Sequence, residues 1–147
     1  MTGPARVDAA RERVLAEHRD VLEATLDAAD TVAADPSALS DGEVLRRRFR
    51  ERLADRGLLA QYPGVLETAV DATGLTLVAD PVPAPPYVVV ASRGPLCRAT
   101  TADGRLVLAV RAFAVDGRDA GGRSPADRRY DRTSSVPPED TLEVTLR

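Results

Sequence analysis

Lysine is absent: all 20 basic residues are arginine, set against 23 aspartates and glutamates, for a net charge of −3. Tryptophan is missing too, and the aromatics are three tyrosines and two phenylalanines. The single cysteine, Cys97, excludes an intramolecular disulfide and any cysteine-rich metal centre. The single histidine, His18, closes off most imidazole zinc chemistry, so neither metal nor cofactor is expected. The densest apolar runs, Tyr87–Ala91 and Leu106–Val110, are far short of the ~20 residues that a membrane-spanning helix needs. The opening MTGPARVDAARERV has no apolar core of a secretory signal. A soluble, cytoplasmic protein without a membrane partner is the expectation. Arginine-only basicity, with aspartate nearly twice as frequent as glutamate, points to a GC-rich or halophilic host.

What is present centres on Pro85–Val115, PPYVVVASRGPLCRATTADGRLVLAVRAFAV, which reads as three strands joined by two turns. Tyr87–Ser92 and Leu106–Val115 are apolar on both alternating sets, the pattern of strands covered on both faces. The second cover would be the 116–138 loop, the last strand or another copy of the chain. Thr101-Ala102-Asp103-Gly104 is a hairpin signal, and Thr141–Arg147 alternates as a half-buried strand near an edge.

Upstream, Pro4–Ala34 carries one apolar stripe at helical spacing and predicts a single long helix ended by Asp35-Pro36. Ser40-Asp41-Gly42-Glu43 predicts a capping box for a second helix, with Gly57 past its end. Pro63 and Gly74 bound a third helix, Leu75–Ala79 a short strand or connector, and Pro81–Pro86 an extended connector. The expected fold is one α+β domain, 1–147: a three-helix layer (1–74) on an antiparallel sheet of four to five strands (75–147), with a flexible loop at 116–138.

PPYVVVASRGPLCRAT followed by GRLVLAVRAFAV resembles a pattern of small haloarchaeal proteins, and RLADRGLLAQYPGVLETAVDATG resembles the helical half of the same group. Together these stretches cover about half the chain. The resemblance implies a conserved domain of no assigned activity, and it transfers no functional residue.

Each candidate for chemistry has a plainer alternative. His18 lies on the apolar stripe of the first helix, and Cys97 lies in a strand with Arg98 on the opposite face, so both read as structural. Arg46, Arg47 and Arg50 belong to an arginine-rich helix whose forks suit phosphates, although pairing with nearby carboxylates is the favoured account of them. The helix after Pro63 offers Glu67 and Asp71 but no arginine, which argues against a helix-turn-helix. Ser92-Arg93-Gly94-Pro95 is a turn whose amides could hold an anion, with Arg93 over it. Arg93, Gly94, Arg111 and Tyr130 are the candidate ligand or anion contacts. No Walker loop, dinucleotide fingerprint, nucleophile elbow or metalloprotease motif occurs.

The expectation is therefore a non-enzymatic module for protein interaction or small-ligand binding, with self-association included. The alternatives are nucleic-acid binding through Arg46, Arg47 and Arg50, and an enzyme built on Arg93, Asp103 or Tyr130.

Overall fold

The first helix, α1 (Gly3–Glu17), starts where the Thr2 hydroxyl accepts from the Ala5 amide at 3.2 Å and proline stands in the first turn. It belongs to a computed structural model that describes residues 2–115, 129–132 and 136–147. The expected single helix Pro4–Ala34 does not form. Its backbone leaves helical geometry at His18 (φ −126°, ψ 24°), and α2 (Arg19–Ala33) restarts from there. Neither proline nor glycine marks this break. The His18 ring instead reaches Thr68 on α5 (Tyr62–Thr73), Nε2 to Oγ1 at 2.8 Å.

A one-turn helix, α3 (Pro36–Leu39), is capped by Asp35, whose Oδ1 accepts from the Ser37 amide at 3.0 Å and hydroxyl at 2.8 Å. The Ser37 hydroxyl, and then the Arg48 guanidinium, hold the Asp35 carboxyl below its ordinary range.

Next comes α4 (Gly42–Asp55), and here the capping box is corrected by one residue. Asp41, in extended geometry, accepts from the amides of Glu43 and Val44, while the Ser40 hydroxyl donates backwards to the Ser37 carbonyl. A carboxylate is as good a cap as a hydroxyl and also meets the positive end of the helix. Asp41→Ala should therefore cost about 1 kcal/mol in urea unfolding. Ser40→Ala should stay within about 0.5 kcal/mol of wild type.

A single turn, Leu59–Gln61, leads into α5, which ends at Gly74 in the left-handed region (φ 77°), as its sequence position predicts. Between α2 and α5, the buried Thr25 donates to the Val21 carbonyl at 2.9 Å and takes the Tyr62 hydroxyl at 2.6 Å. Burial pushes the Tyr62 phenol up, so it stays protonated and keeps this bond.

The chain is α+β. Its C-terminal half holds a four-stranded antiparallel sheet in the order β1 (Val88–Ala91), β2 (Gly94–Thr101), β3 (Gly104–Val110), β6 (Leu142–Leu146). The Asp-Gly signal makes the β2–β3 hairpin, pairing Thr101 with Gly104. Leu75–Ala79 contributes one bridge, Leu77 to Thr101. On one face of the sheet α4 packs on β1, α5 on β2 and α1 on β6. Val88, Val90, Cys97, Ala99, Leu106, Leu108, Val110 and Val144 point into that layer and are buried with Leu45, Phe49, Leu53 and Leu66.

The expected continuous strand Leu106–Val115 is also corrected. It breaks at Arg111-Ala112, and β4 (Phe113–Val115) pairs in a second, two-stranded sheet with β5 (Tyr130–Arg132). The Arg93 carbonyl fixes the break by accepting from the Ala112 and Phe113 amides at 2.9 and 3.0 Å. The bend turns Phe113 towards the helices, where its ring meets Phe49 edge-on, 5.4 Å between centroids. Arg132 ties the small sheet to α2: its largely buried guanidinium lies 2.9 Å from Asp30 and donates to the Ala112 carbonyl.

Most of the expected 116–138 loop lies outside the described residues. Its described part includes β5, and the chain beyond it enters β6 through one turn of helix, α6 (Pro138–Thr141). Arg11 donates to the Glu139 carbonyl and Arg19 pairs with the Glu139 carboxylate, so both sides of the His18 break grip the entry to β6. The Arg19 bond holds the Glu139 carboxyl below its ordinary value.

Candidate functional site

Alternation along the strands leaves the second face of the main sheet to Leu96, Arg98 and Thr100 from β2, Arg105, Val107 and Ala109 from β3, and Glu143 and Thr145 from β6. Two-sided burial was expected of the strand from Leu106, but on this face Val107 is only half-buried; the last strand is half-buried, as its alternation predicts. Arg98, Thr100, Arg105 and Glu143 are exposed and Leu96 half-buried, and among the described residues no helix packs on this face.

Register arranges the face in rows. Leu96, Ala109 and Glu143 form one row, Arg98, Val107 and Thr145 the next, and Thr100 and Arg105 the third. Arg147 completes the third row: its amide donates to the Arg105 carbonyl at 2.9 Å, and the Arg105 amide donates back at 2.8 Å. All of these residues except Thr100, together with Arg111, line a hollow of about 570 Å³. Its floor is apolar (Leu96, Val107, Ala109) and its rim carries Arg98, Arg105, Arg111 and Arg147. Arg98 and Arg105 also border a second hollow of about 260 Å³ walled by Pro86, Tyr87 and Thr100.

The electrostatics of the rim are uneven. Arg111 is neutralised by Glu143, Nε to Oε2 at 3.1 Å. Arg98, Arg105 and Arg147 have no carboxylate within 4 Å among the described residues. Arg105 and Arg147 stand directly opposite each other, an arrangement in which like charges destabilise a sheet. Arg98 lies diagonally across from Arg105 on the same face. Three permanent cations thus gather at one corner of the sheet.

Of the residues singled out from sequence, only Arg111 reaches this face. Arg93 is exposed at the β1–β2 turn, where its Nε donates to the Phe113 carbonyl at 3.3 Å. Gly94 is buried inside the fold: a Cβ there would stand 1.8 Å from the Val110 carbonyl oxygen. Tyr130 is buried and accepts from the Ser92 hydroxyl at 3.1 Å. On α4, Arg46 meets Glu43 at 3.4 Å, Arg48 pairs with Asp35 and Arg56 reaches the Ala24 carbonyl. Arg47 and Arg50 remain exposed on that helix. Arg98, Arg105 and Arg147 were missed because each was read singly, as the polar alternate of its own strand.

Residues 8–147 match a family defined by a shared domain of unknown function (DUF7988). The chain belongs to this family. The match takes in every strand of both sheets and all helices beyond the first residues of α1. No curated protein and no solved structure matches the chain. Among the described residues no helix is long and apolar enough to cross a membrane, and no group of three or more His, Cys, Asp or Glu residues gathers to hold a metal.

Cys97 points into the core of this DUF7988 domain. Burial pushes its thiol from 9.0 up to about 12. Native protein at pH 8 should leave the thiol unreactive towards Ellman's reagent until urea unfolds the chain. Because the folded thiol ionises at higher pH than the unfolded one, its contribution to stability is intact below pH 9 and is lost as pH rises towards 12. Rapid stoichiometric labelling without denaturant would contradict the buried placement.

Proposed function

We propose that this domain is a non-enzymatic binding module whose outer sheet face takes an anionic small ligand with an apolar body. The observation that carries this reading is the unneutralised arginine corner beside an apolar floor, in a hollow of ligand size. Arginine cannot deprotonate to act as a base, and Glu143, the carboxylate on this face, is engaged by Arg111. The face therefore recognises charge and shape more readily than it moves protons. Stacking two copies through it would set arginine against arginine, so self-association by this route is disfavoured.

A cytoplasmic protein of a haloarchaeal or similarly GC-rich host is the accompanying reading. It is supported by arginine-only basicity and by the lone cysteine kept as a buried thiol. The nucleic-acid alternative has weaker support, since the α4 arginines alternate with Glu43, Glu51 and Asp55.

Anilinonaphthalene sulfonate, an aromatic body with one sulfonate, is a suitable probe. Native protein should enhance its fluorescence at a saturable site. Val107→Glu, which sets a carboxylate on the half-exposed floor facing Arg98, should abolish that site while the urea midpoint holds. Equal signals from the wild type and Val107→Glu would refute the proposal. A loss confined to Arg47→Gln/Arg50→Gln would move the site to α4.

A further inference from the structure

We infer that the Arg98–Arg105–Arg147 corner is a phosphoryl subsite and that the adjoining Tyr87 hollow receives the planar ring of the same ligand, making a free nucleotide the ligand class. This inference rests on the outer face being a ligand-binding surface, and it names what binds at its charged end.

Geometry distinguishes a phosphoryl group from a carboxylate. One arginine fork satisfies both oxygens of a carboxylate, so three arginines lining one hollow offer more donors than one carboxylate can use. A terminal phosphoryl group presents three acceptor oxygens and nearly two negative charges, enough to engage all three. The triangle is set by the backbone: Arg105 and Arg147 are a hydrogen-bonded cross-strand pair, and Arg98 is diagonal to Arg105 on the neighbouring strand. A carboxylate-rich peptide would meet charges strung along a line, whereas these lie at one corner. The use of arginine over lysine carries no weight in a chain without lysine.

The ring position follows from the second hollow. Arg98 and Arg105 form the shared wall between the two hollows, so a phosphate on them has Tyr87 and Pro86 on its far side. Tyr87 is half-exposed, and its carbonyl accepts from the Arg98 amide at 2.8 Å, which fixes the two residues side by side. Aromatic and guanidinium faces both stack on planar heterocycles. The Thr100 hydroxyl in the same hollow is a donor and acceptor for ring nitrogens.

Calorimetric titration at low ionic strength with AMP, pyrophosphate and citrate tests the inference. AMP and pyrophosphate should each bind at one site, and citrate more weakly than either. Arg98→Gln or Arg105→Gln should weaken both phosphates by about tenfold or more, since each removes charge-assisted hydrogen bonds. Tyr87→Leu should weaken AMP by about tenfold and leave pyrophosphate unchanged, because only AMP stacks. The urea midpoint of Arg98→Gln should match wild type, and that of Arg105→Gln, which relieves the like-charge pair with Arg147, should be no lower.

Citrate binding as well as AMP, or no effect of Tyr87→Leu on AMP, would overturn the nucleotide assignment. A 5′-phosphorylated oligonucleotide binding more tightly than AMP through the same residues would overturn the free-nucleotide class. Absence of AMP and pyrophosphate binding, with the sulfonate probe still displaced by Val107→Glu, would refute the phosphoryl subsite alone. Loss of the probe site as well would refute both readings.

Discussion

Phe113→Ala should lower the unfolding free energy by about 3–5 kcal/mol, read as a fall in the urea midpoint at unchanged slope. Phe113 is 1% exposed, and its ring abuts Phe49, itself fully buried, at an interplanar angle of 85°. Truncation removes the transfer free energy of the ring, leaves a cavity and deletes an edge-to-face contact. Phe113→Leu, which refills most of the volume, should recover the larger part of the loss. The solution mass should be identical in all three proteins, because Phe113 faces the helices and not the open side of the sheet. Wild-type stability for Phe113→Ala would disprove the turn at Arg111-Ala112 that brings the ring inside.

Gly94→Ala should be comparably damaging, at roughly 3 kcal/mol or more, although it adds one methyl group. Two costs combine. Gly94 has φ +151°, a conformation that L side chains rarely adopt, and its added Cβ would sit 1.8 Å from the Val110 carbonyl oxygen. The obstacle is backbone at the end of β3, so no side-chain rotation relieves it. Gly64→Ala is the matched control: it lies in α5 with nothing within 4 Å of the added carbon. That change should stabilise by about 0.5–1 kcal/mol. Similar urea midpoints for the two variants would show that the approach of Gly94 to β3 is not a fixed feature of the fold.

The α+β class was legible because helical spacing dominates the first half and short apolar runs bounded by turn residues the second, with Gly74 and Asp-Gly punctuating the two. The break at His18 was not legible. Val7, Ala10, Val14, Val21, Leu22 and Thr25 keep helical spacing across it, and the contact made there is with Thr68, fifty positions away. The split at Arg111-Ala112 was hidden similarly, since the apolar alternation runs through it and the Arg93 carbonyl that stops the strand belongs to another element. Apolarity on both faces of β3 was over-read as double cover. Val107 and Ala109 are apolar, but the residues beside them in neighbouring strands are Arg98 and Glu143. Half of the arginine corner could have been found. The Asp-Gly turn fixes Thr101 against Gly104, which sets Arg98 and Arg105 on one face by counting alone. Arg147 could not, because its row depends on where β6 docks.

The pairing of β6 with β3, together with the seat of α1 on β6, bears on the order of assembly. The β1–β2–β3 meander closes through two-residue turns and can form early and locally. β6 must come back from more than thirty residues further along the chain, and loop-closure entropy opposes it until its contacts are made. Until then α1 lacks the strand it rests on, and the Arg11 and Arg19 grips on Glu139 cannot close. The first helix and the last strand thus meet across nearly the whole length of the chain, a pairing of high contact order.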